Sequence, residues 1–238
     1  MNLAKKGTII SVKQVAKRTI EVAIKVPADF SFRAGQWIQL ILPELKYPDL
    51  KGNTRMFSIA SSPNRKGELN IIFRSGPSGY KRTLTKMEPG TEVIFSGPYG
   101  SMELPQDTSR PFVIIAGGVG VAPFLSMIRF SSETASGHKV SLIYANIHKE
   151  ETAYLDELLR IEKENPDFKL LNIFGQLKNG QLKKAVNGLM NQKAIWSVIG
   201  PQGFVDFVGK YLLGRGVNAQ DVVFEQFYPE LSPPLSND

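Results

Sequence analysis

The chain has 238 residues, of which 42% are hydrophobic and 21% are charged, and its formal net charge is +7. This length and composition suit one large or two ordinary globular domains and exclude an intrinsically disordered chain. Cysteine is absent and His138 and His148 are the only histidines, which excludes disulfides, thiolate zinc sites and cysteine-ligated iron–sulfur clusters and argues against a histidine-rich metal site.

The first hundred residues show six short segments rich in Val, Ile and aromatic residues, separated by turn residues. The predicted strands are residues 7–15, 18–25, 36–42, 56–60, 69–74 and 92–96, with one helical stretch at residues 80–87. A series of this kind predicts a closed antiparallel barrel or a sandwich.

After residues 105–111 the pattern changes to buried strands that alternate with helices. The predicted strands are residues 112–116, 140–145, 170–174 and 194–199, and the predicted helices are residues 122–130, 152–164, 181–190 and 203–213. This alternation predicts a doubly wound parallel sheet. We therefore expect a β-barrel domain over residues 1–108 and an α/β domain over residues 109–238, ending in a proline-containing tail, residues 229–238, along the surface.

The start of the chain and its hydropathy predict where in the cell the protein is located. Residues 1–7 show neither an apolar signal-peptide core nor a small-residue cleavage site. No window approaches the roughly eighteen apolar residues of a transmembrane helix. We expect a cytoplasmic protein without a membrane span.

The positive charge is uneven along the chain. Residues 1–108 carry 16 Lys and Arg against 9 Asp and Glu, whereas residues 109–238 carry 13 of each. One explanation is an ordinary basic surface that helps solubility, and the other is a patch that steers an acidic protein or anionic cofactors to the first domain. Nucleic acid is not expected, since there is no basic helix or interleaved aromatic cluster.

Two glycine-rich turns each follow an apolar strand and precede a helix. Gly118 and Gly120 lie in the first turn, and Gly200 and Pro201 lie in the second. Glycines let a backbone approach phosphate, and a helix N-terminus adds partial positive charge. The third glycine of a dinucleotide fingerprint is replaced by Pro123, so a tight turn of any α/β fold remains the alternative.

The segment 55–58 places a cation, an aromatic ring and a hydroxyl within four residues. In order with the glycine turns, it resembles the signature of the ferredoxin–NADP⁺ reductase superfamily. The matching motifs are Phe32-Arg33-Ala34-Gly35-Gln36, Arg55-Met56-Phe57-Ser58, Gly97-Pro98-Tyr99-Gly100, Gly117-Gly118-Val119-Gly120-Val121-Ala122-Pro123, Gly200-Pro201 and Glu225-Gln226-Phe227. The resemblance implies a six-stranded antiparallel flavin barrel followed by an α/β nicotinamide-nucleotide domain.

The resemblance also implies roles for the barrel residues. Arg55 would pair with a flavin phosphate, Phe57 would stack on the isoalloxazine, and Ser58 would hydrogen-bond near the N5 atom that accepts hydride. The other flavin-lining candidates are Met56, Ile72, Phe73 and Arg74, and the candidates for the phosphate-binding helix are Gly79, Tyr80 and Lys81. Taken singly, Phe57 has the alternative of a core residue and Arg55 that of a solvated charge.

In the second domain the resemblance assigns nucleotide contacts to the glycine turns and to the end of the following strand. The candidates are Gly118, Val119, Gly120, Asn146, Gly200 and Pro201. Glu225 and Phe227 would supply an acid and an aromatic ring near the other face of the flavin, although Glu225 alone has the alternative of a surface acid.

Several positions depart from the family pattern. Lys81 replaces a Ser or Thr, Val119 replaces a Thr, and Ile199 replaces a frequent Cys. The segment 146–148 has no arginine for a 2′-phosphate, although Lys149 offers a cation, and we therefore expect a modest preference for NADH over NADPH.

The function implied is a flavin-dependent reductase. Hydride would pass from NADH or NADPH to FAD, in preference to FMN, and then as electrons to a separate acceptor such as an acidic ferredoxin or flavodoxin. The alternatives are a free-flavin reductase and a flavin-binding subunit of a larger complex that does not turn over.

Overall fold

The computed structural model describes residues 4–175, 180–190 and 193–227, and of Gln226 and Phe227 the backbone alone. The expected surface tail at residues 229–238 lies outside this range. The described residues form a six-stranded antiparallel sheet followed by a five-stranded parallel sheet flanked by helices, which confirms the predicted fold class.

The first sheet has the strand order β4-β3-β6-β1-β2-β5. Its strands are β1 (Lys5–Ala16), β2 (Thr19–Lys25), β3 (Trp37–Ile41), β4 (Thr54–Ser58), β5 (Glu68–Arg74) and β6 (Glu92–Tyr99), with helix α1 (Gly79–Thr85) before β6. The end strands β4 and β5 are linked by an isolated bridge between Ile59 and Ile71, which closes the barrel. Alternation drives this closure: Ile38 and Leu40 of β3 are fully buried, whereas their strand neighbours are partly exposed.

The second sheet is parallel and has the order β11-β10-β7-β8-β9. Its strands are β7 (Phe112–Gly117), β8 (Val140–Asn146), β9 (Phe168–Phe174), β10 (Ile195–Pro201) and β11 (Val222–Phe227). The helices are α2 (Ala122–Thr134), α3 (Leu155–Glu164), α4 (Gln181–Asn187) and α5 (Gln202–Gly214). Strands β7 and β8 are buried at every residue because helices cover both faces of the sheet.

The sequence pattern did not predict β11. This strand lies at the edge of the sheet, pairs with β10, and leaves Val223 and Phe224 partly exposed. Its first three residues, Val-Val-Phe, are β-branched or aromatic and favour a strand, so the sequence contained a signal that the prediction omitted.

Several helix ends also differ from the prediction: α1 and α4 end at Thr85 and Asn187, two and three residues before the predicted ends. The helix expected at residues 152–164 begins at Leu155, because Tyr154 has a left-handed backbone conformation with φ of 59°. The helix expected to end at residue 130 continues to Thr134 and stops where Ala135 is left-handed.

The two sheets share a buried core. Ala34, Ala60 and Ile72 of the barrel belong to the same hydrophobic cluster as Ala116 and Met127 of the second half. At Gly35, with φ of 99°, an added Cβ would lie 2.4 Å from both the Met102 carbonyl oxygen and the Met127 side chain. The barrel therefore packs closely against α2. Within the described part of the chain, no helix has both the length and the apolar character to cross a membrane.

Candidate functional site

Strands β4 and β5 are linked only by the Ile59–Ile71 bridge among the described residues, and the unpaired stretch beyond this bridge is called the β4–β5 opening. Ser58 and Ile72 are the first residues beyond the Ile59–Ile71 bridge on the two antiparallel strands. The rings of Phe57 and Phe73 follow, with centroids 5.9 Å apart. The polar backbone edges of the two strands thus face each other without a continuous ladder between them, which offers donors and acceptors to a planar ligand.

Arg74 connects this opening to the first glycine turn. A Cβ added to Gly118 would lie 3.3 Å from Nη2 of Arg74. The guanidinium donates to the carbonyl of Lys17 at 3.0 Å and to the Thr19 hydroxyl at 3.2 Å, and lies 3.8 Å from the carboxylate of Glu151. The end of β5 and the first glycine turn are therefore in contact, and the surface where they meet is called the cleft.

The two glycine turns are neighbours at the carboxyl edge of the parallel sheet. Strands β7 and β10 pair directly, and a Cβ on Gly200 would lie 3.4 Å from Cα of Gly117. Gly118 has φ of 56°, and a Cβ on Gly120 would lie 3.0 Å from the Ile199 carbonyl oxygen. Both positions of the first turn thus favour glycine, Gly118 for its left-handed conformation and Gly120 because an added Cβ would crowd a backbone carbonyl.

Asn146 lies beside these turns at the end of β8. The register pairs Gly117 with Ala145, so Asn146 is level with Gly118. It is 6% exposed, and among the described residues both polar atoms of its amide are buried without a hydrogen-bond partner. The Tyr144 hydroxyl is close to this amide but does not form a hydrogen bond of normal geometry with it. Unpaired buried polar groups are rare and costly, and the role of this amide as a nucleotide contact stays a prediction.

The remaining nucleotide candidates lie around this edge. Val119 is half-buried in the first turn, and Pro201 is exposed in the second. Ile147 is 61% exposed, and His148 and Lys149 are exposed after β8.

Arg55 is paired within the protein. Its Nη2 donates to Oδ1 of Asp49 at 2.7 Å, and its Nη1 donates to the carbonyls of Lys51, Gly52 and Thr54 at 2.7–3.1 Å. The side chains of Arg55 and Asp49 are 10% and 7% exposed. The residue expected to meet a flavin phosphate is therefore already neutralised by a carboxylate.

Asp49 also binds the start of α1. Its Oδ2 accepts hydrogen bonds from the Ser78 hydroxyl at 2.7 Å and from the backbone N–H of Tyr80 at 2.9 Å, and its Oδ1 accepts one from Lys51 N–H at 3.0 Å. Burial alone would raise the pKa of this carboxyl, but these bonds and Arg55 hold the pKa well below its usual range. Asp49 thus occupies the backbone donor that was expected to face phosphate. The sequence offered no signal for it, because it lies in a loop without a motif.

Phe57 and Tyr80 belong to the barrel core. Phe57 is 8% exposed and packs against Phe73 and Tyr80, while Tyr80 is fully buried and donates its hydroxyl to the Leu40 carbonyl at 2.9 Å. Met56, on the opposite side of β4, is 67% exposed. Phe57 therefore has little surface free for a ligand, and its stacking role stays a prediction.

The start of α1 is shaped by its contact with the preceding loop. A Cβ on Gly79 would lie 2.1 Å from the Pro48 carbonyl oxygen, so glycine is required there by the chain itself. Lys81 is half-buried, and its backbone N–H donates to the Ser78 hydroxyl at 3.4 Å.

Glu225 lies on β11, opposite Ile199 of β10. Its side chain is exposed, yet neighbouring protein atoms partly desolvate the carboxyl and raise its pKa. The backbone of Phe227 is opposite Pro201, and its side chain lies outside the description.

The residues around the cleft fit part of the expected ligand set. The opening at Ser58 and Ile72 suits the edge of a flavin ring, and Asn146 with the glycine turns suits a nucleotide. Arg55 and the start of α1 fit a flavin phosphate less well, because Asp49 already binds both.

Two domain families match the chain in this same order. The model of the oxidoreductase FAD-binding domain matches residues 6–104, and that of the oxidoreductase NAD-binding domain matches residues 114–210.

The chain is also similar in sequence to electron-transfer components of two oxygenases. The reductase component of propane 2-monooxygenase from Mycolicibacterium goodii is 27% identical over 236 residues, which cover 92% of this chain and 66% of that protein. The electron transfer component of toluate 1,2-dioxygenase from Pseudomonas putida is 26% identical and covers 93% of this chain and 67% of its own length. The chain thus spans about two thirds of these relatives.

Among solved structures, ferredoxin–NADP⁺ reductase from Plasmodium falciparum superposes with a TM-score of 0.77 and 18% identity, covering 95% of this chain and 99% of that one. The shared fold spans both sheets. With a FAD-binding domain and a NAD-binding domain in this order and on this fold, the chain belongs to the ferredoxin–NADP⁺ reductase-like superfamily.

Proposed function

We propose that this chain is a reductase that takes hydride from a nicotinamide nucleotide onto FAD and delivers the electrons to a separate acceptor. One observation carries the proposal. Arg74, at the end of β5, lies against Gly118 of the nucleotide turn, so the barrel opening and the glycine edge share one cleft. Two cofactors held in such a cleft react as if within one molecule, which accounts for much of the rate acceleration.

When bound, FAD supplies the chemistry, because it accepts hydride and releases electrons singly or in pairs. The residues of the chain supply position. In our proposal the Ser58 hydroxyl and the backbone edges at Ile72 and Phe73 orient the flavin ring, and Arg74 faces both cofactors. Gly118, Gly120 and Gly200 let the nucleotide approach the sheet edge, and Asn146 offers its unpaired amide to a nucleotide hydroxyl.

We infer that NADH is preferred over NADPH. The exposed residues after β8 include Ile147, His148 and Lys149 but no arginine that would bind a 2′-phosphate in bidentate fashion. Lys149 supplies a point charge, so the expected preference is modest.

The acceptor is proposed to be a separate protein. The sequence has no cysteine to ligate an iron–sulfur cluster, and the similar proteins from M. goodii and P. putida are named as components of oxygenase systems. The positive charge of residues 1–108 favours an acidic carrier of the ferredoxin or flavodoxin kind.

A free-flavin reductase is the second candidate, and the Arg55–Asp49 ion pair favours it. A cation already neutralised by a carboxylate contributes less to holding a flavin phosphate. Such an enzyme would bind flavin loosely, as a substrate.

Anaerobic reduction of the purified protein tests these functions. We expect a yellow protein whose flavin absorbance is bleached rapidly by NADH and more slowly by NADPH. A colourless protein that reduces added flavin would support the free-flavin reductase. A yellow protein that neither nucleotide bleaches would contradict both and leave a flavin-holding subunit.

A further inference from the structure

Polar side chains on one face of α2 form several hydrogen bonds with the barrel. Ser126, Arg129 and Glu133 are spaced by three and four residues and therefore project from the same side of the helix. All three contact the barrel segment 60–64, which directly follows the Ser58 strand. The helix itself begins immediately after the glycine turn Gly118–Val121.

The individual bonds on this face are short. Nη1 of Arg129 donates to the Ala60 carbonyl at 2.7 Å, and the Ser126 hydroxyl donates to the Ser61 carbonyl at 2.6 Å. The Glu133 carboxylate accepts from the Ser62 hydroxyl and from the Asn64 amide, the latter at 2.9 Å.

Arg129 is itself fixed by its own domain. Its Nε and Nη2 donate to the two carboxylate oxygens of Glu157 on α3, each at 2.7 Å, and its side chain is 15% exposed. Burial alone would lower the pKa of the guanidinium, but Glu157 raises it above its ordinary value. A planar, permanently charged and bidentate donor holds its direction well.

Tyr154 extends the contact from Arg129 to strand β2, which is paired with β5. The Arg129 guanidinium lies 4.7 Å from the centroid of the Tyr154 ring, and the Tyr154 hydroxyl donates to the buried carboxylate of Glu21 on β2. Glu21 is paired in the β2–β5 register with Ile72, which stands at the mouth of the opening. Arg129 therefore contacts the continuation of β4 directly, and Tyr154 reaches β5 indirectly, through Glu21 of the neighbouring strand β2.

We propose that Arg129 is a positioning residue for hydride transfer, fixing the nucleotide turn relative to the Ser58–Ile72 mouth through the Ala60 carbonyl and Tyr154. This inference rests on the proposed function. It predicts that loss of Arg129 displaces donor from acceptor without removing any cofactor contact. Misplacement by about 1 Å costs on the order of 10²-fold in rate.

The test compares Arg129→Ala and Ser126→Ala with Arg160→Ala. Arg160 lies around the same surface pocket as Arg129, Tyr154 and Glu157. Its side chain, however, is 63% exposed and pairs with Glu164 of its own helix. We expect the rate of flavin reduction at saturating NADH to fall about 10- to 100-fold in Arg129→Ala. It should fall less in Ser126→Ala and remain unchanged in Arg160→Ala.

In Arg129→Ala, the KM for NADH should change little, and the charge-transfer absorbance of the nucleotide complex should weaken. Arg129→Lys, which keeps one donor for Ala60, should recover part of the rate.

Hydrogen–deuterium exchange of residues 58–70 in the full chain gives a readout that does not depend on turnover. Loss of the contact should speed exchange in this segment in Arg129→Ala and Ser126→Ala but not in Arg160→Ala. Ser126→Ala removes one hydroxyl and keeps the test valid if Arg129→Ala does not fold. Wild-type rates and exchange in both variants would overturn the inference. If the unmodified protein is not reduced by either nucleotide, the proposed function fails, and exchange alone then decides whether the contact holds the segment.

Discussion

At the scale of single residues, Asp49 binds Arg55, the arginine of the flavin motif at residues 55–58. Its carboxylate accepts from Arg55, Ser78, Lys51 and Tyr80, and so joins the loop before β4 to the start of α1. The signature arginine therefore has a structural partner in this chain. A charged group with several hydrogen bonds stabilises the native state, and its loss leaves the guanidinium without a counter-charge.

Asp49→Asn is expected to lower the free energy of unfolding by roughly 1.5–3 kcal/mol at pH 7, the range for hydrogen bonds to charged groups. Because the pKa of Asp49 is lower in the folded protein, its contribution is full above the unfolded value of about 3.9 and disappears as the pH falls through the folded pKa. Urea unfolding at pH 7 measures the first effect, and the difference between the wild type and the variant should begin to narrow as the pH falls from 4 to 3. Asp29→Asn, with a side chain 79% exposed, is the control. Equal losses in the two variants would argue against a special role for Asp49.

At the scale of elements, the first glycine turn is where strand β7 gives way to helix α2. A side chain at Gly120 would be tightly packed, because the carbonyl of Ile199 on the neighbouring strand would lie 3.0 Å from its Cβ. A backbone carbonyl within a parallel sheet cannot rotate away as a side chain can. The tight turn is thus a property of two adjacent strands rather than of the loop alone.

Gly120→Ala should push β7 and β10 apart locally, lowering stability by about 1–3 kcal/mol, as overpacking does. It should also weaken nucleotide binding. Calorimetric titration with NAD⁺ and thermal unfolding measure the two effects. Gly203→Ala is the matched control, since a Cβ there meets nothing within 4 Å in the first turn of α5. A nucleotide affinity equal to that of the control would rule out this turn as a nucleotide contact.

At the scale of the whole molecule, charge is segregated between the two domains. The excess of Lys and Arg lies in residues 1–108, while residues 109–238 are balanced. A fixed positive field around the barrel accelerates the approach of an acidic protein, and dissolved salt screens it over a distance of about 10 Å at 0.1 M.

Electron transfer to an acidic ferredoxin or flavodoxin is therefore expected to slow as ionic strength rises from 20 to 300 mM (roughly a Debye length of 20 Å down to 6 Å). Reduction of a small neutral quinone should change little over the same range. Steady-state rates with the two acceptors, at saturating NADH, make the comparison. Equal salt dependence would mean that the barrel charge does not steer the carrier.

The amino-acid sequence by itself determined the class of fold and the order of the domains. Period-two alternation in strands such as β3, and unbroken apolar runs in strands such as β7, depend on local periodicity and burial, which the sequence carries directly. The motif at residues 55–58 and the two glycine turns were visible for the same reason, because each is contiguous in the chain.

The tertiary structure alone decided which groups meet. It paired Arg55 with Asp49, buried Phe57 in the barrel core, added β11 as an edge strand, and joined Arg129 to the Ala60 carbonyl across 69 positions. A charged residue inside the apolar helix at residues 122–130 was a signal for such a contact, but not for its partner. Contacts between residues far apart in the chain depend on how whole helices and strands pack together. No local sequence pattern shows which distant residues will meet.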